Sequence, residues 1–418
     1  MTIFGGVISV TSVSFLMLCV AAIAAIGYAL GRVTIKGISL GTSGVFVVGL
    51  LFGAFLYKTL ESQLGITAGA DQIVSYADKA LKIVETMGLA FFVTAVGFIA
   101  GPKFFGNFKK NFKSYVLMAA VIILAGGLTA AACILVGRAM LPDVSGDELT
   151  AMVSGLFSGA LTSTPAFSAA KEAVGAELEG VVSVGYGIAY IFGVLGVVFF
   201  VQLMPKFLKA NMDEERKLAS NVGEYKKKEY TGKIIKLDDF SFLSFFFVVA
   251  LGLIVGSIKI PLTGNGLSGT CFSLTTTGGC LLVGLIFGHF GHIGHINVIP
   301  TEHTSKVFRE LGLMLFLMGA GIPGGAKFAQ YFKVTYFFFG VAMTIVPMVI
   351  GYLFAKYVLK LSLLNNLGSI TGGMTSTPAL GTLIHVAKSE DVASAYAATY
   401  PVALIAVVLV TQFLIILF

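Results

Sequence analysis

The chain has 418 residues, of which 56% are hydrophobic and only 12% are charged. Because soluble globular domains carry about 25% charged residues, this composition excludes a soluble enzyme or a soluble binding module. The formal net charge of +7 does not indicate a nucleic-acid partner, since Lys and Arg lie mostly in short segments between apolar stretches. That distribution is the charge pattern of a polytopic membrane protein.

Long apolar stretches are the first structural signal along the chain. A helix needs about 20 apolar residues to cross a bilayer, and the clearest stretches of this length are residues 3–30, 114–136, 181–203, 334–356 and 392–418. They are too long, and alternate too little in polarity, for the strands of a membrane β-barrel. The sequence therefore predicts an all-α polytopic membrane protein. Its first stretch is too long for a signal peptide and is expected to remain as a mature helix.

The two halves of the chain repeat one another. Residues 42–53 (TSGVFVVGLLFG) are identical to residues 277–288 (TGGCLLVGLIFG) at seven of twelve positions, at an offset of 235. Residues 87–104 align with residues 311–328 at an offset of 224, and the phrase TSTPA occurs twice, 213 residues apart. Two tyrosine pairs follow at an offset of 210, Tyr186/Tyr190 and Tyr396/Tyr400. The constant order and the slowly falling offset indicate that one ancestral unit was duplicated.

A polar segment separates the two halves. Residues 206–239 contain nine Lys and Arg residues, including the run KKK at 226–228. This excess of positive charge predicts that the segment is cytoplasmic. We therefore predict membrane repeat 1 at residues 1–205, a basic cytoplasmic linker at 206–239 and membrane repeat 2 at 240–418.

The TSTPA segments are too short to cross a bilayer. Charged flanks place both ends of the first one outside, and its apolar part, residues 152–162, makes roughly 16 Å of helix. We predict a re-entrant helical hairpin at about 151–176 and another at about 366–390. Each repeat then has five transmembrane helices, and this odd number inverts the second repeat and leaves both termini outside. Opposed half-helices near the midplane are typical of inverted-repeat secondary transporters.

The TSTPA phrase also has the chemistry of an anion-binding helix terminus. A tight turn between packed helices is the simpler interpretation, but irregular backbone at membrane depth is tolerated only inside protein or beside water. The Thr hydroxyls of Thr164–Pro165 and Thr377–Pro378 can cap a helix whose first turn contains Pro. Such N-termini attract carboxylates. The predicted substrate-binding residues are Ser158, Gly159, Thr162, Ser163, Thr164, Pro165, Tyr190, Thr371, Gly372, Thr375, Ser376, Thr377, Pro378 and Tyr400.

The polar residues of the predicted spans bear on the mode of transport. Tyr190 and Tyr400 follow the two hairpins, where each phenol can face the site or pack at an interface. No Asp or Glu falls within the ten predicted spans, and intramembrane carboxylates are the usual carriers in proton-coupled pumps. This favours exchange of small carboxylates without a coupling ion. A Na⁺- or H⁺-coupled organic anion symporter is the alternative.

The segment GHFGHIGH spaces His289, His292 and His295 three residues apart. His289 and His292 would share a helix face, so a metal site is conceivable, but no third ligand of the right kind is evident. We predict neither a metal nor another cofactor. Close helix packing is predicted for two GxxxG pairs that correspond across the repeat, Gly27/Gly31 and Gly252/Gly256.

GRVTIKGISLGTSGV (31–45), the two TSTPA segments and Tyr400–Pro401 together resemble the aspartate:alanine exchanger family. This family also includes dicarboxylate exporters and permeases. The resemblance covers both membrane halves and implies exchange of amino acids or dicarboxylates across a bacterial inner membrane, with both termini outside. Typical members carry soluble regulatory domains between the halves, whereas residues 206–239 are too few for a domain.

An intramembrane enzyme and a passive channel are the competing classes. GLSG (266–269) matches an intramembrane serine protease phrase, but so does GTSG (41–44), and such matches arise easily in a chain with 51 glycines. An enzyme would need a catalytic His beside Ser268, and no HExxH motif occurs, so we predict that the chain is not an enzyme. A channel has little need of two opposed hairpins. The expected partners are a small carboxylate-bearing substrate, the lipid bilayer and, from the many small residues on helix faces, a second copy of the chain.

Overall fold

The computed structural model describes most of both halves. It covers residues 2–3, 8–9, 11–33, 42, 44–68, 72–219, 235, 238–261, 271–389 and 391–418, without the side chains of 2–3, 8–9, 66–68, 72–74, 102–113, 271–272, 377, 381 and 394. Four short antiparallel pairs are described. The first, β1 (Thr2–Ile3) with β2 (Ile8–Ser9), precedes the helices, and three lie between helices: β3 (Gly65–Ala68) with β4 (Gln72–Ser75), β5 (Lys259–Pro261) with β6 (Cys271–Ser273), and β7 (His292–Ile293) with β8 (Ile296–Asn297).

Helices make up the rest, and their order is the same in the two halves. The first half contains α1 (Ser12–Arg32), α2 (Gly44–Gln63), α3 (Ala77–Asn111), α4 (Leu117–Met140), α5 (Gly146–Ala160), α6 (Thr164–Ala173) and α7 (Glu179–Phe207), with a π-helical turn at Phe112–Val116. After α8 (Met212–Ala219), the second half contains α9 (Phe242–Gly256), α10 (Thr275–Phe290), α11 (Glu302–Tyr331), α12 (Val334–Tyr357), α13 (Leu363–Gly373), α14 (Thr377–Ala387) and α15 (Val392–Leu417). In each half four helices precede two short ones and a long one follows.

Eight of the described helices are long and apolar enough to cross a membrane, which confirms an all-α polytopic membrane protein. Two of the ten predicted spans are shorter. With 15 and 16 residues, α9 and α10 are roughly 22 and 24 Å long at 1.5 Å per residue. The first short helix, α5, has 15 residues and begins at Gly146, earlier than the predicted 152–162, because Ser145 caps it by accepting the Glu148 N–H.

The helices pack as two bundles, and each bundle takes equivalent helices from both halves. The six-helix bundle contains α1, α2 and α3 together with α9, α10 and α11, and its main contacts are α3 with α10 and α11, and α2 with α11. The hairpin bundle contains α4 to α7 together with α12 to α15, and its main contacts include α5 with α7, α13 with α15 and α4 with α12. The core is therefore shared between the halves.

Glycines allow the close packing within the six-helix bundle, as the GxxxG pairs predict. A Cβ on Gly27 would lie 2.4 Å from the Cα of Val45, and a Cβ on Gly252 would lie 2.6 Å from the Cα of Cys280. These distances are shorter than any stable contact. The packing of α1 on α2 and of α9 on α10 therefore requires glycine, which has no side chain, at these positions. The prediction of close helix packing at these positions is confirmed.

Two glycines one turn apart on α2 give a matched test of this packing. A Cβ on Gly53 would lie 2.0 Å from the Ile322 carbonyl oxygen of α11, whereas a Cβ on Gly49 would lie 3.7 Å from the nearest atom. Gly53→Ala is expected to destabilise the protein by about 1–3 kcal/mol through overpacking. Gly49→Ala is expected to be neutral or to stabilise α2 by up to about 1 kcal/mol through helix propensity. Thermal unfolding in detergent measures both, and equal stability of the two variants would contradict the packing of α2 on α11.

Candidate functional site

The first TSTPA segment forms a tight turn between α5 and α6. The Thr162 N–H donates to the Gly159 carbonyl at 2.9 Å, and the Ser163 N–H donates to the Ser158 carbonyl at 2.8 Å. This is the Schellman arrangement that ends many helices, and its left-handed position usually holds Gly. Here the position holds Thr162, with φ of 53°. A β-branched residue at positive φ is strained, so the threonine side chain must have a compensating contact.

The second TSTPA segment forms the same turn between α13 and α14. The Thr375 N–H donates to the Gly372 carbonyl at 3.1 Å, and the Ser376 N–H donates to the Thr371 carbonyl at 3.0 Å. Thr375 has φ of 50°. Both strained residues are the first Thr of TSTPA. The backbone strain therefore recurs with the repeated phrase in both turns.

The two turns contact each other through a reciprocal pair of hydrogen bonds. The Thr162 hydroxyl donates to the Met374 carbonyl at 3.0 Å, and the Thr375 hydroxyl donates to the Leu161 carbonyl at 2.8 Å. Both threonines are buried. Each strained threonine therefore places its hydroxyl on the other turn, which is the compensating contact and the reason that glycine does not serve at these positions.

The starts of the two returning helices differ. The Ser163 hydroxyl accepts the Ala166 N–H at 3.3 Å and Pro165 lies in the first turn of α6, so Ser163 is the cap, which corrects the expected capping role of Thr164. Pro378 lies in the first turn of α14, but the N-cap Ser376 makes no side-chain capping bond. The Ser376 hydroxyl is fully buried and has no hydrogen-bond partner among the described atoms. The start of α14 therefore holds an unsatisfied polar group.

The remaining predicted residues of the helix ends contact their own hairpin bundle. The Ser158 hydroxyl donates to the Gly155 carbonyl and the Thr371 hydroxyl to the Gly368 carbonyl, at 2.8 and 2.7 Å. A Cβ on Gly159 would lie 2.6 Å from the Tyr186 carbonyl oxygen, and one on Gly372 would lie 2.8 Å from the Tyr396 carbonyl oxygen. These two glycines therefore allow α7 to pack closely on α5 and α15 to pack closely on α13. The side chain of Thr377 lies outside the described residues.

The two predicted tyrosines occupy different surroundings. Tyr190 is buried, and its ring lies 5.0 Å from that of Tyr186, which stacks on Phe167 with ring centroids 4.1 Å apart. Tyr400 stacks on Tyr396 at 5.1 Å and lines an open cleft. The phenol of Tyr190 thus belongs to a packed aromatic cluster, whereas Tyr400 can contact a ligand.

The cleft beside Tyr400 lies between the two bundles. We call it the Arg309 cleft; its volume is about 240 Å3 and its walls come from α3, α11 and α15. The described lining residues are Val96, Ile99, Ala100, Arg309, Tyr396, Ala397, Tyr400 and Pro401. A guanidinium and two phenols against an apolar wall suit a small organic anion.

A second cleft between the bundles contains buried charges that the sequence did not reveal. We call it the Glu85 cleft; its volume is about 570 Å3. Lys171 of α6 lies 2.8 Å from Glu85 of α3, and their side chains are only 3% and 5% exposed. Lys82 contacts Glu179 of α7 at 2.6 Å. Lys171 also lies 3.6 Å from Glu179, and Lys82 lies 3.7 Å from Glu85.

Glu85 corrects the prediction that the spans contain no carboxylate. It lies inside α3, within the membrane-spanning candidate Ala77–Gly101, because α3 extends about ten residues before the apolar stretch that predicted it. Glu310 likewise lies inside α11. The argument against proton coupling from missing carboxylates therefore fails. An ionisable side chain buried at such a position is a functional-site candidate in its own right.

The two clefts lie at different levels of the same pair of helices. A Cβ on Gly88 would lie 2.5 Å from the Phe316 nitrogen, and one on Gly319 would lie 2.5 Å from the Glu85 Cβ, so α3 and α11 run antiparallel. Glu85 and Val96 are 11 residues apart on α3, which is roughly 16 Å along a helix. The Glu85 cleft lies toward the start of α3 and the Arg309 cleft toward its end.

His289 and His292 were expected to share a helix face, and they do not. Helix α10 ends at Phe290, Gly291 takes a left-handed conformation, and His292 lies in β7. His289 and His292 therefore do not share a helix, which corrects that expectation. Within the described part of the chain, no group of three or more His, Cys, Asp or Glu residues could hold a metal. Ser268 and its GLSG phrase lie outside the described residues.

Both halves of the chain match one family of membrane proteins. Residues 19–206 and 244–416 match the family described as Predicted Permease Membrane Region (Asp-Al_Ex). Uncharacterized transporters of Bacteroides thetaiotaomicron and Desulfotalea psychrophila are 26% and 24% identical to the chain; each alignment covers 93% of this chain, and 96% and 95% of the relative. An uncharacterized transporter of Geobacter sulfurreducens is 34% identical over 47% of this chain and 32% of its own length. The first alignment has 547 positions against 418 residues here, so at least 547 − 418 = 129 positions of that relative have no counterpart in this chain.

Proposed function

The chain belongs to the aspartate–alanine exchanger family of permease membrane regions, and from this premise we propose that it exchanges small carboxylate-bearing substrates by alternating access. The substrates in question are amino acids such as aspartate and alanine, or dicarboxylates. The observation that carries the proposal is the reciprocal bonding of Thr162 and Thr375 between the two hairpin turns. Two equivalent half-helix pairs that meet at one point are the feature that transporters use to form a central site.

We further propose that the two halves are inverted repeats, each with a re-entrant hairpin, α5–α6 and α13–α14. Three observations support this. The helix order is the same in both halves, the equivalent helices α3 and α11 run antiparallel, and α6, α13 and α14 have only 10 or 11 residues. Helices of that length are roughly 16 Å long, about half of a hydrocarbon core.

The proposed substrate site lies where the two turns meet. The positive ends of α6 and α14 face this point, and helix N-termini bind carboxylates through free N–H groups and the helix dipole. Ser376 adds a buried hydroxyl that lacks a partner within the described structure. Thr162 and Thr375 hold the turns together, and Tyr400 lines the approach.

The proposed motion is a displacement of the hairpin bundle against the six-helix bundle. Both clefts lie between these bundles, at opposite ends of the α3–α11 pair, so such a displacement can open one cleft while it closes the other. Each bundle contains helices of both halves, so the moving unit is not one repeat. We place the protein in a bacterial inner membrane, with residues 206–239 in the cytoplasm and both termini outside.

A second candidate is a Na⁺- or H⁺-coupled organic anion symporter on the same scaffold. It is favoured by the buried Glu85–Lys171 pair, because buried carboxylates paired with a cation are the usual elements of proton relays in membranes. The pair joins the two bundles, so its charge state could be linked to their displacement.

Counterflow in liposomes tests the proposed function. Purified protein is reconstituted into liposomes preloaded with unlabelled aspartate, alanine or succinate, or with buffer alone, and uptake of labelled aspartate or succinate is followed without an ion gradient. Uptake only into preloaded liposomes is expected for an exchanger. Uptake into buffer-only liposomes that needs a Na⁺ or H⁺ gradient would instead support the symporter.

A further inference from the structure

We propose that the Arg309 cleft is a carboxylate-binding subsite on the path to the hairpin turns. The inference rests on the proposed function, since it deepens the substrate assignment. Among the described lining residues Arg309 is the only charged side chain, and Tyr396 and Tyr400 also line the cleft. An Arg guanidinium binds a carboxylate through two parallel hydrogen bonds. The cleft therefore suits an anion and disfavours a cation.

The guanidinium of Arg309 is already oriented. Its Nε and Nη2 groups donate to Oε1 of Glu310 at 3.2 and 2.6 Å, and the Thr42 hydroxyl donates to Oε2 of the same carboxylate at 2.6 Å. A guanidinium has five N–H donors, so Glu310 uses two of them and three remain within the described contacts. Glu310 does not line the cleft. Glu310 thus fixes the orientation of the Arg309 guanidinium and leaves three of its N–H donors for a ligand.

The two halves have different side chains at equivalent positions. The offset of 224 that aligns α3 with α11 sets Arg309 against Glu85, and the offset of 213 that aligns the hairpins sets Ile384 against Lys171. In the first half, the hairpin arm α6 brings Lys171 to within 2.8 Å of Glu85. In the second half, the arm α14 has the neutral Ile384 at that place. The hairpin thus supplies a counter-charge for Glu85, whereas the ion-pair partner of Arg309 is its chain neighbour Glu310. A carboxylate from solution would bind the Arg309 donors that Glu310 does not use.

Aromatic packing shows the same asymmetry. Tyr186, the equivalent of Tyr396, is 1% exposed and stacks on Phe167 with ring centroids 4.1 Å apart. The residue at the position of Phe167 in the second hairpin is Leu380, a smaller side chain without a ring. Tyr396 therefore lines the Arg309 cleft, whereas Tyr186 is packed against protein. At about 240 Å3, the Arg309 cleft fits an acid with a short carbon chain against Val96, Ile99 and Ala100.

The absence of tryptophan from the chain permits a direct binding measurement. Ile99→Trp places a single fluorescent reporter in the wall of the cleft, at a position 39% exposed. The purified reporter protein is titrated with succinate, aspartate and alanine, with sodium chloride and sodium sulfate as inorganic anions, and with vesicles of phosphatidylglycerol or phosphatidylcholine. A saturable change in emission with succinate or aspartate is expected. A response to phosphatidylglycerol alone would assign the cleft to a lipid headgroup and overturn the proposal, as would no response to any carboxylate.

Variants of Arg309 decide whether the guanidinium carries the binding. In the reporter background, Arg309→Gln is expected to raise the Kd for succinate by about 10- to 100-fold, since charged hydrogen bonds are lost. Arg309→Lys is expected to recover part of the affinity, because it restores the charge but not the two-pronged geometry. Arg138→Gln is the control: its guanidinium contacts the Phe418 carbonyl at 2.6 Å and does not line the cleft. An unchanged Kd in Arg309→Gln would overturn the proposal.

The same variants separate this inference from the proposed function. If the parent protein exchanges aspartate or succinate in liposomes and Arg309→Gln keeps both the rate and the apparent KM, the subsite is wrong and the transporter stands. If the parent protein binds succinate in an Arg309-dependent manner but shows no exchange, the subsite stands and the exchanger is wrong. In a functional transporter with the subsite, Arg309→Gln is expected to raise KM more than it lowers the maximal rate.

Discussion

Lys171→Met is expected to destabilise the protein by about 3 kcal/mol or more, because it leaves the Glu85 carboxylate buried without its 2.8 Å partner. Removing one member of a buried ion pair typically costs about 3–5 kcal/mol. Lys82 lies 3.7 Å from Glu85 and is 43% exposed, so it can offset part of the loss and keep the effect toward the lower end. Thermal or denaturant unfolding in detergent provides the measurement. Methionine preserves the length of the side chain, so a cavity does not account for the loss.

The double variant Glu85→Leu/Lys171→Met is the matched control. Replacement of both members of a buried pair by apolar residues is often neutral or stabilising, so the stability is expected to return to near that of the parent protein. The double variant also separates the two candidate functions. Counterflow is expected to persist in an exchanger, whereas gradient-driven uptake would be lost if Glu85 carries a coupling proton. A double variant as unstable as Lys171→Met would show that the two side chains do not act as a pair.

The second large effect is expected at the contact between the hairpin turns. Thr162→Val keeps the shape and the strained φ of 53° but removes the hydroxyl that donates to the Met374 carbonyl. The carbonyl is then buried without this donor, at a cost of about 1–3 kcal/mol. Thr375→Val has the same expected effect at the Leu161 carbonyl. We expect each variant to lower stability and to reduce counterflow, and the double variant to abolish counterflow.

Serine and glycine variants of Thr162 separate the effect of losing the hydroxyl from the effect of relieving the backbone strain. Thr162→Ser retains a donor and is expected to keep most of the counterflow activity. Thr162→Gly relieves a left-handed conformation that costs a non-glycine residue about 1–2 kcal/mol, yet it loses the bond to Met374. It is therefore expected to be more stable than Thr162→Val but equally impaired in counterflow. Full counterflow activity in Thr162→Gly would show that the hairpins do not need this hydrogen bond to work together.

These two sites act at different contacts of the same molecule. The Glu85–Lys171 pair joins the six-helix bundle to the hairpin bundle, whereas Thr162 and Thr375 join the two hairpins within one bundle. The proposed motion of the hairpin bundle would break or shift the first contact and preserve the second. In that proposal the ion pair lies on the surface between the two bundles, and the threonine pair lies within the moving bundle.

The repeated phrase was the most informative local feature of the sequence. The phrase TSTPA and its offset of 213 identified in advance both turns that meet through Thr162 and Thr375. The helical turn itself was also predictable, since Pro165 and Pro378 lie in the first turn of α6 and α14. The reciprocal bonding was not predictable, because it joins residues more than 210 positions apart, and local sequence fixes only local backbone.

The charged residues show where sequence reasoning failed. Hydropathy identified the apolar part of α3 but not its start, because Asp78, Lys82 and Glu85 lower the average over that turn. Glu85 appeared to lie outside the membrane-spanning stretch, and its partner Lys171 is 86 residues away. Arg309 was missed for the same reason: it lies near the start of α11, where Lys and Arg usually mark only the membrane surface.

The sequence alone determined the fold class and the two positions of the TSTPA turns. The fold class follows from apolar length, which acts over one helix, and the turns follow from proline and hydroxyl positions in a repeated phrase. The tertiary structure alone decided which helices form each bundle, which carboxylate meets which lysine, and that Tyr396 and Tyr400 line a cleft while Tyr186 is packed against Phe167. The physical reason is that burial and charge pairing depend on distances in space between residues far apart in the chain. Two nearly equivalent halves can therefore fold alike and still place different ion pairs at equivalent positions, Glu85 with Lys171 in one half and Arg309 with Glu310 in the other.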